Sequence, residues 1–269
     1  MTPSDDLFEL LEQHGVLLGC AVDSASAATA ELAGMLGCDL VWADLEHCSV
    51  DFQQAENFCR GAKAGGSLPL LRVAGAERTQ ILHALEAGAR LIVVPMVDSP
   101  ELALEVVRHG KYAPLGIRGF NGSSRGLGYG IGNSVEKMRW CNEQTHLFVQ
   151  IETVEAVRRC AEIVGVEGIT GGLVGPGDLS VSMGRPLAFN DPEFLALFRK
   201  AVRTIREQGK VAATVSARPA LTQAALEEGV QILICTTDTV CVRTHLGQVL
   251  REVRDQVRML SSPRATVTS

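Results

Sequence analysis

The chain has 269 residues, a formal net charge of −6 and 8 cysteines; 46% of its residues are hydrophobic, but only 4% are aromatic. This length and composition suit one large α/β domain with an aliphatic core, while an acidic balance without a basic cluster argues against a nucleic-acid partner. No apolar run is long enough to cross a membrane. The polar start is unlike a signal peptide, and the cysteines form no CxxC pair. These features predict a cytoplasmic protein with reduced thiols.

Eight apolar runs alternate with eight amphipathic runs along the chain. The predicted strands cover residues 16–22, 39–44, 68–73, 91–96, 147–151, 169–174, 211–215 and 230–235. The predicted helices cover residues 27–36, 52–64, 79–87, 100–107, 154–164, 192–208, 218–228 and 240–260. Continuous apolar runs are typical of parallel strands that are buried on both faces.

Eight strand–helix units in a chain of this length predict a (β/α)8 TIM barrel. An open doubly wound sheet is the alternative, but it would usually carry a glycine-rich dinucleotide loop after its first strand, where Ala21-Val22-Asp23-Ser24 stands instead. We predict one barrel domain over residues 1–260 and a disordered polar tail over 261–269. The glycine-rich segment 111–143 interrupts the repeat, and we expect it to form an enlarged loop at the catalytic face, either a lid or an inter-subunit arm.

Ionisable side chains follow several of the predicted strands. His47 comes after the second strand, in Asp44-Leu45-Glu46-His47, and Arg72 ends the third; Glu152 ends the fifth, and Asp178 follows the sixth. In a barrel, these strand ends converge on one mouth. A histidine beside carboxylates can transfer protons near neutral pH. The recurrence at equivalent points of the repeat predicts an enzyme.

The two carboxylates, Glu152 and Asp178, suit a hard divalent cation such as Mg²⁺, which leaves its other positions to water or substrate. The sequence contains no cluster of Cys and His ligands, which argues against a structural zinc site. A cation together with Arg72 would make a positive pocket for a small anionic substrate, most naturally a carboxylate. Each residue also has a structural interpretation: Arg72 could form an ion pair, and Glu152 could cap the helix that starts near Thr153.

Six motifs carry a resemblance to a known family. They are Trp42-Ala43-Asp44-Leu45-Glu46-His47, Pro69-Leu70-Leu71-Arg72-Val73, Val94-Pro95-Met96-Val97, Tyr112-Ala113-Pro114-Leu115-Gly116-Ile117-Arg118-Gly119, Val149-Gln150-Ile151-Glu152-Thr153 and Gly175-Pro176-Gly177-Asp178-Leu179-Ser180. From residue 17 to about residue 260 the chain resembles the HpcH/HpaI aldolases, metal-dependent class II pyruvate aldolases of the phosphoenolpyruvate/pyruvate barrel superfamily.

The resemblance implies a role for each motif at the metal and the substrate. Glu152 and Asp178 match ligands of Mg²⁺, Mn²⁺ or Co²⁺, and Arg72 matches the arginine that holds pyruvate and stabilises its enolate. Gln150 matches the glutamine beside the metal-bound substrate. The motif that contains Asp178 adds Gly177 and Ser180 as candidates for substrate binding.

The resemblance also implies the acid–base residues and the reaction. His47 matches the acid/base histidine, Asp44 matches its carboxylate partner, and Glu86 stands at a position, often aspartate in the family, that assists the histidine. The implied reaction is the reversible aldol cleavage of a 4-hydroxy-2-oxo acid to pyruvate and an aldehyde.

Three segments depart from the family pattern. The loop at 118–130 is one residue longer, with Gly126 for the usual alanine; Cys48-Ser49 replace a small residue and a proline; and segment 215–218 matches no familiar pattern. These segments are expected near the second substrate. A synthase that joins an enolate from pyruvate or oxaloacetate to another acceptor is therefore the alternative, and a non-catalytic binding barrel is the third.

The last predicted helix, 240–260, carries apolar residues at helical spacing. In a monomer this face would cover the eighth strand. The resemblance implies instead that the helix is exchanged between subunits, because family members form hexamers as dimers of trimers. We therefore expect a closed homo-oligomer, in which the loop at 119–132 could reach a neighbour's active site.

Overall fold

The structure, a computed structural model, describes residues 6–216 and 218–261. The strands are β1 Leu17–Ala21, β2 Leu40–Asp44, β3 Leu68–Arg72, β4 Leu91–Val94, β5 His146–Ile151, β6 Gly171–Val174, β7 Val211–Val215 and β8 Ile232–Thr237. The helices are α1 Leu7–His14, α2 Ala27–Met35, α3 Phe52–Ala64, α4 Arg78–Glu86, α5 Pro100–Gly110, α6 Ser134–Gln144, α7 Val154–Arg158, α8 Cys160–Val164, α9 Pro176–Ser182, α10 Pro192–Glu207, α11 Pro219–Glu227 and α12 Asp238–Ser261.

The eight strands form one closed parallel barrel in chain order. β1 pairs with β2 on one side and with β8 on the other, where Leu17 lies opposite Ile232. This closure confirms the predicted TIM barrel and excludes the open sheet. Every predicted strand has a counterpart that ends within a few residues of the predicted limits, because each is an uninterrupted apolar run.

Side chains alternate between the interior of the barrel and the layer of helices around it. The inward side chains of the strands form one apolar cluster: Leu17, Leu40, Trp42, Leu68, Leu70, Leu91, Val93, Phe148, Leu173, Val211, Ala213, Ile232 and Ile234. The outward side chains pack against the helices in a second, larger cluster. The barrel is therefore a filled core, with space for a ligand only at its ends.

Helix α1, which the sequence analysis missed, closes the amino-terminal end of the barrel. Leu7, Leu10 and Leu11 are buried in the same cluster as the inward strand residues. Asp6 caps the helix, and its carboxylate accepts hydrogen bonds from the amides of Phe8 and Glu9. Eight residues that form only two turns give a weak periodic signal, although the cap and the apolar spacing are visible in the sequence.

The segment 111–145 lies at the amino-terminal end of the barrel, so its predicted place at the catalytic face of its own chain is wrong. Helix α5 carries the chain back along the barrel before the segment begins. Lys111 Nζ then donates to the carbonyl of Thr145 at 2.6 Å, and the amide of His146 donates to the carbonyl of Arg90, just before β4, at 2.8 Å. A segment that follows a helix of the repeat lies opposite the mouth. It also contains helix α6, which was not predicted.

Two further elements differ from the predictions. The helix expected over 154–164 is interrupted at Arg159 and forms α7 and α8, and the short helix α9 contains part of the motif around Asp178. No helix among the described residues combines the length and the apolar character that a membrane crossing requires. Of the tail predicted over 261–269, only Ser261, which ends α12, lies within the described residues.

We predict that His146 makes the stability of the fold depend on pH. Burial, with a contribution from Lys111, lowers the pKa of His146 to about 4, and Phe8 packs edge-on against its ring at 5.4 Å. The folded state therefore keeps the ring neutral, whereas the unfolded chain binds a proton below about pH 6.5. Stability is full above that pH and falls by about 3 kcal/mol as the pH drops toward 4.

Urea unfolding between pH 4 and pH 7 measures this dependence. Asp6 and Arg90 also act on the ring, so a matched variant isolates the effect of His146. His146→Phe keeps the aromatic contact without a titrating group, and we expect a flatter profile below pH 6.5. An unchanged pH profile in this variant would contradict the prediction.

Candidate active site

The alternation of inward and outward side chains along the strands also places polar side chains at the carboxyl end of the barrel. Asp44 and Arg72 each lie two residues after an inward apolar residue, Trp42 and Leu70 respectively. Gln150 follows Phe148 on β5 in the same way and is buried. Because inward positions recur every second residue, the last inward residue of these strands reaches the mouth. The sequence thus places an apolar interior below and a polar layer above it.

Arg72 is held between two carboxylates at the mouth. Its Nε and one terminal nitrogen donate to the two oxygens of Asp44 at 2.9 and 2.5 Å, and the other terminal nitrogen lies 3.2 Å from Glu46 Oε2. The guanidinium also lies over the Trp42 ring, 5.2 Å from the centroid. A bidentate pair fixes the plane of the guanidinium, and two of its five N–H groups remain for a ligand.

Burial and hydrogen bonding act in opposite directions on Asp44. Burial alone would raise the pKa of this carboxyl, but hydrogen bonds from Arg72 and from the amides of Glu46 and His47 hold the pKa below its usual value. For Glu46, burial dominates and raises the pKa despite the nearby Arg72 and His47. Asp44 therefore supports both the guanidinium and the turn that follows β2.

His47 lies at the edge of the mouth, with 63% of its side chain exposed. Its Nε2 is 3.6 Å from Glu46 Oε2, whereas the carboxylate of Asp44 binds Arg72 and backbone amides. The expected pairing of His47 with Asp44 is thus wrong, and Glu46 takes that place. The physical reason is local: the strand ends at Asp44, and the turn after it rotates the next side chains out of the strand's alternation.

Glu152 is almost completely buried just after β5. Its Oε1 accepts a hydrogen bond from the amide of Met96 at 2.8 Å, and the side-chain amide of Gln150 donates to Oε2. Met96 has a positive φ of 54°, which is uncommon for a residue with a side chain and turns its N–H toward the carboxylate. A Cβ at Gly175 would lie 2.8 Å from Glu152 Oε2, so only glycine leaves room for this carboxylate.

The donor set around Glu152 fits a divalent cation. Burial raises the pKa of Glu152, hydrogen bonds from the Met96 amide and Gln150 oppose this effect, and the charges of Asp178 and Glu46 raise the pKa further. Glu152 forms no ion pair with a described residue, although its charge interacts with that of Arg72. Gln150 Oε1 is buried and has no hydrogen-bond partner among the described residues. Oxygen ligands with a net negative charge are what Mg²⁺ or Mn²⁺ requires, and both charge and orphaned oxygen would be satisfied by a cation and its water.

A cation at this site would have few ligands from the protein. Within residues 6–216 and 218–261, no group of three or more His, Cys, Asp or Glu side chains could hold a metal ion. Asp178 stands in the first turn of α9 and lines the cavity at the mouth. A cation held by Glu152 and Asp178 would thus keep positions open for water and substrate.

The other two candidates from the motif around Asp178 differ in role. Gly177 lines the cavity, and a Cβ there would meet nothing within 4 Å. Ser180 is fully buried: its hydroxyl donates to the carbonyl of Gly177 at 2.6 Å and accepts from the amide of Leu187 at 2.9 Å. Both hydrogen bonds of Ser180 are internal, so it shapes the α9 turn instead of contacting a substrate.

Glu86 lies far from His47 of the same chain. It ends α4, at the amino-terminal end of the barrel, and its carboxylate pairs with Arg118 at 2.9 Å. It lines a separate cavity of 330 Å³ together with Ser124 and Tyr129. The described contacts of Glu86 do not include His47, because helices and strands run in opposite directions and α4 ends at the opposite face. Its assistance to His47 stays a prediction.

The mouth encloses a cavity of 420 Å³, within the range of small-molecule sites. Asp44, His47, Arg72, Gln150 and Asp178 line it on one side. Sequence reasoning found only part of the opposite wall, the segment 215–218 that was expected near the second substrate. The wall consists of Leu173, Phe189, Val215, Ser216, Arg218, Leu221, Ile234, Cys235, Thr236, Thr237 and Val240. These residues lie on β6, β7 and β8 or follow these strands, and the apolar members carried no signal of a site in the sequence.

Comparison with known proteins identifies the family of this chain. The family model for HpcH/HpaI aldolase/citrate lyase matches residues 17–244. The chain belongs to the HpcH/HpaI aldolase/citrate lyase family. It is 32% identical over 247 residues to 2-keto-3-deoxy-L-rhamnonate aldolase of Escherichia coli (strain K12), with 92% of each chain covered.

Two further comparisons agree. Hydroxypyruvate/pyruvate aldolase of Roseobacter denitrificans is 31% identical over 236 residues, which cover 88% of this chain and 92% of that one. The crystal structure of an HpcH/HpaI aldolase from Desulfitobacterium hafniense superposes with a TM-score of 0.86 at 27% identity, covering 93% and 96% of the two chains. The chain is thus an enzyme of an aldolase family, a carbon–carbon lyase.

We predict that Asp44→Asn destabilises the fold by about 3 kcal/mol, because it leaves a buried guanidinium without its bidentate partner. Urea unfolding at pH 7 measures the change. Glu105→Gln is the matched control, since it removes a carboxylate from an exposed ion pair with Arg108 and should cost less than about 1 kcal/mol. Equal losses in the two variants would show that Arg72 does not depend on Asp44.

Proposed function

We propose that the chain catalyses the reversible aldol cleavage of a 4-hydroxy-2-oxo acid to pyruvate and an aldehyde, with a divalent cation held by Glu152 and Asp178. The observation that carries the proposal is the placement of a fixed guanidinium, Arg72, at the same mouth as a buried carboxylate, Glu152, which forms no ion pair with a described residue and lies near the further charges of Asp178 and Glu46. The substrates named for the relatives, sugar-derived 2-keto acids and pyruvate, are of the same chemical class.

The residues of this chain have separate tasks in that reaction. The two remaining N–H groups of Arg72 would bind the substrate carboxylate and the oxygen on which enolate charge develops, while Asp44 and Glu46 keep the guanidinium in place. Gln150 would orient the 2-oxo end. A cation bound at this site supplies Lewis-acid polarisation of the 2-oxo group.

Proton transfer falls to His47. It would take the proton of the C4 hydroxyl, directly or through a water, as the C3–C4 bond breaks and the bonding electrons form the enolate of pyruvate. The aldehyde leaves, and C3 of the enolate takes up one proton to give the methyl group, so one proton is removed and one returned. The nearby Glu46 would stabilise the protonated imidazole.

The synthase alternative keeps the support of segment 118–130 only through a neighbouring chain. In its own chain this segment lies at the amino-terminal end of the barrel, where Arg125 Nε donates to the carbonyl of Ala87. Relatives at 31–32% identity are named as aldolases. We therefore place aldol cleavage first.

We further propose a homo-oligomer with exchanged α12 helices, a hexamer as in the implied family assembly. Exposure of α12 supports this proposal over a monomer in which α12 would cover β8. Its apolar side chains are 38–87% exposed, namely Val242, Leu246, Val249, Leu250, Val253, Val257, Met259 and Leu260. Leu18, on the outer face of β1, is 47% exposed as well. The apolar face of α12 in one copy could cover the exposed outer face of β1 in a second copy, and the second copy could do the same in return.

In this assembly, Glu86 and the loop 119–132 would lie close to the mouth of a neighbouring barrel. Both lie at the amino-terminal end of their own barrel, opposite its mouth. We also infer a cytoplasmic location, which all eight free cysteines support.

Arg72→Lys should lower metal-dependent deuterium exchange into the pyruvate methyl group by about 100-fold or more, because lysine keeps the charge but loses the paired donors. Proton NMR of pyruvate in D2O measures the exchange. Arg158→Lys, on the exposed surface of α7, is the control. Exchange in Arg72→Lys at the rate of the control would refute the role of Arg72, and absence of exchange in the wild type would refute the enolate chemistry.

The cation site is tested by binding alone. We expect Glu152→Gln and Asp178→Asn each to weaken Mn²⁺ binding by about 10-fold or more, as loss of one charged ligand does. Titration calorimetry and the electron paramagnetic resonance of free Mn²⁺ report the affinity. Asp23→Asn removes a carboxylate from the same cavity lining and should bind Mn²⁺ like the wild type. Unchanged binding in both ligand variants would exclude this site.

Exchange of α12 is tested by the mass in solution. Leu246→Asp combined with Val253→Asp places charges on the apolar face, and we expect the assembly to dissociate in mass photometry. Thr244→Asp with Gln248→Asp changes the opposite face by the same charge and should leave the assembly intact. A wild-type chain that is monomeric at micromolar concentration would contradict the proposal.

A further inference from the structure

The cavity at the mouth extends beyond what a three-carbon acid needs. The residues assigned to the pyruvate half lie on or just after β2, β3, β5 and β6. A second wall, formed by residues on or after β6, β7 and β8, has no task in the proposed reaction. Since β3 and β7 are four strands apart in a ring of eight, Arg72 and the residues after β7 face each other across the mouth. This second wall is therefore where the aldehyde half of the substrate would lie.

Part of the second wall is apolar. Leu173, Leu221 and Ile234 are buried, and Val215 and Val240 are half-buried. Ser216, Cys235, Thr236 and Thr237 add polar groups to the same lining.

The apolar part of the wall suits the carbon chain of an aldehyde. Among the described residues of this wall, the positive charge comes from Arg218, at the start of α11.

Arg218 is fixed from two directions. Its guanidinium carbon lies 4.9 Å from the centroid of Phe189, which packs edge-on against the buried Phe194 at 5.6 Å. Its amide donates to Ser216 Oγ at 3.2 Å, and that hydroxyl is also bonded by Thr222 at 3.0 Å. A stacked guanidinium with an anchored backbone has lost part of its freedom before a ligand arrives.

The charge of Arg218 has no carboxylate partner among the described residues. Of the two arginines in the cavity lining, Arg72 is bound by Asp44 and Glu46, whereas the described contact of the Arg218 side chain is with a ring face. A ring face leaves the N–H groups at the edge of the guanidinium available. Arg218 can therefore accept an anion at the far end of an apolar wall.

We propose that Arg218 determines acceptor specificity by binding an anionic group at the end of the aldehyde remote from its carbonyl. The inference rests on the proposed aldol reaction and adds the class of its second substrate: a short aliphatic aldehyde that carries a terminal carboxylate or phosphate. The apolar wall contacts the chain between the two ends, and Arg218 pairs with the anion.

Matched aldehydes test the proposal in the condensation direction with pyruvate and Mn²⁺. Succinic semialdehyde carries a terminal carboxylate, glyceraldehyde 3-phosphate a phosphate, and butanal and glyceraldehyde are their neutral counterparts. We expect the wild type to favour the anionic member of at least one pair by about 10-fold or more in kcat/KM, as a charged hydrogen bond provides. The preferred pair identifies the anion.

The variants then assign the preference to Arg218. In Arg218→Gln, the ratio of kcat/KM for the anionic to the neutral aldehyde should fall about 10-fold or more, mainly through KM, and Arg218→Lys should retain part of it. Arg158→Gln removes an arginine from the exposed surface and should keep the wild-type ratio. A wild type without preference, or a ratio unchanged in Arg218→Gln, would overturn the inference.

A binding measurement separates this inference from the proposed reaction. Succinamate and butanamide carry an amide where the aldehyde would be, so they can bind without reacting. Calorimetry in the presence of pyruvate should show tighter binding of succinamate in the wild type and no such difference in Arg218→Gln. If condensation fails with every aldehyde, the proposed function fails, and this binding result still decides the role of Arg218.

Discussion

Closure of the eight-stranded ring is the constraint on which the other features depend. Once the strands close, each has one face toward the interior and one toward the helices, and the period of two decides which residue meets which environment. The interior is apolar from the amino ends up to Trp42, Leu70 and Phe148. The next inward positions are Asp44, Arg72 and Gln150, so the polar mouth is a direct continuation of the core.

The charges at this mouth are balanced in pairs. Arg72 carries a positive charge into a mostly buried position, and Asp44 and Glu46 compensate it there. Glu152 forms no ion pair with a described residue, and its environment contains the further negative charge of Asp178. Arg72 thus faces the four carboxyl groups of Asp44, Glu46, Glu152 and Asp178, and this excess of acidic groups favours one additional cation, which links the geometry to a metal-assisted reaction.

The strands and the positions of the strand-end residues were predictable, because a continuous apolar run identifies a strand and its end identifies the mouth. Glu46 was not assigned as the partner of His47, since a turn abolishes the alternation on which the pairing relied. Segment 111–143 was placed at the wrong face for another reason: it follows a helix, and a position after a helix belongs to the amino-terminal end of the barrel. Segment 215–218 was expected near the second substrate because it departs from the family pattern, but the position of Arg218 opposite Arg72 was not predictable, because only the closed ring brings the two together.

Helix α12 begins at the cavity of the mouth, and its carboxyl-terminal end extends away from the barrel. Asp238 accepts hydrogen bonds from the amides of Asp23 and Ser24 after β1, and Val240 lines the cavity. With 24 residues, the helix extends about 36 Å from that anchor. Because Val240, in the first turn of this helix, forms part of the cavity wall, a tilt of the far end of α12 would change the shape of the cavity.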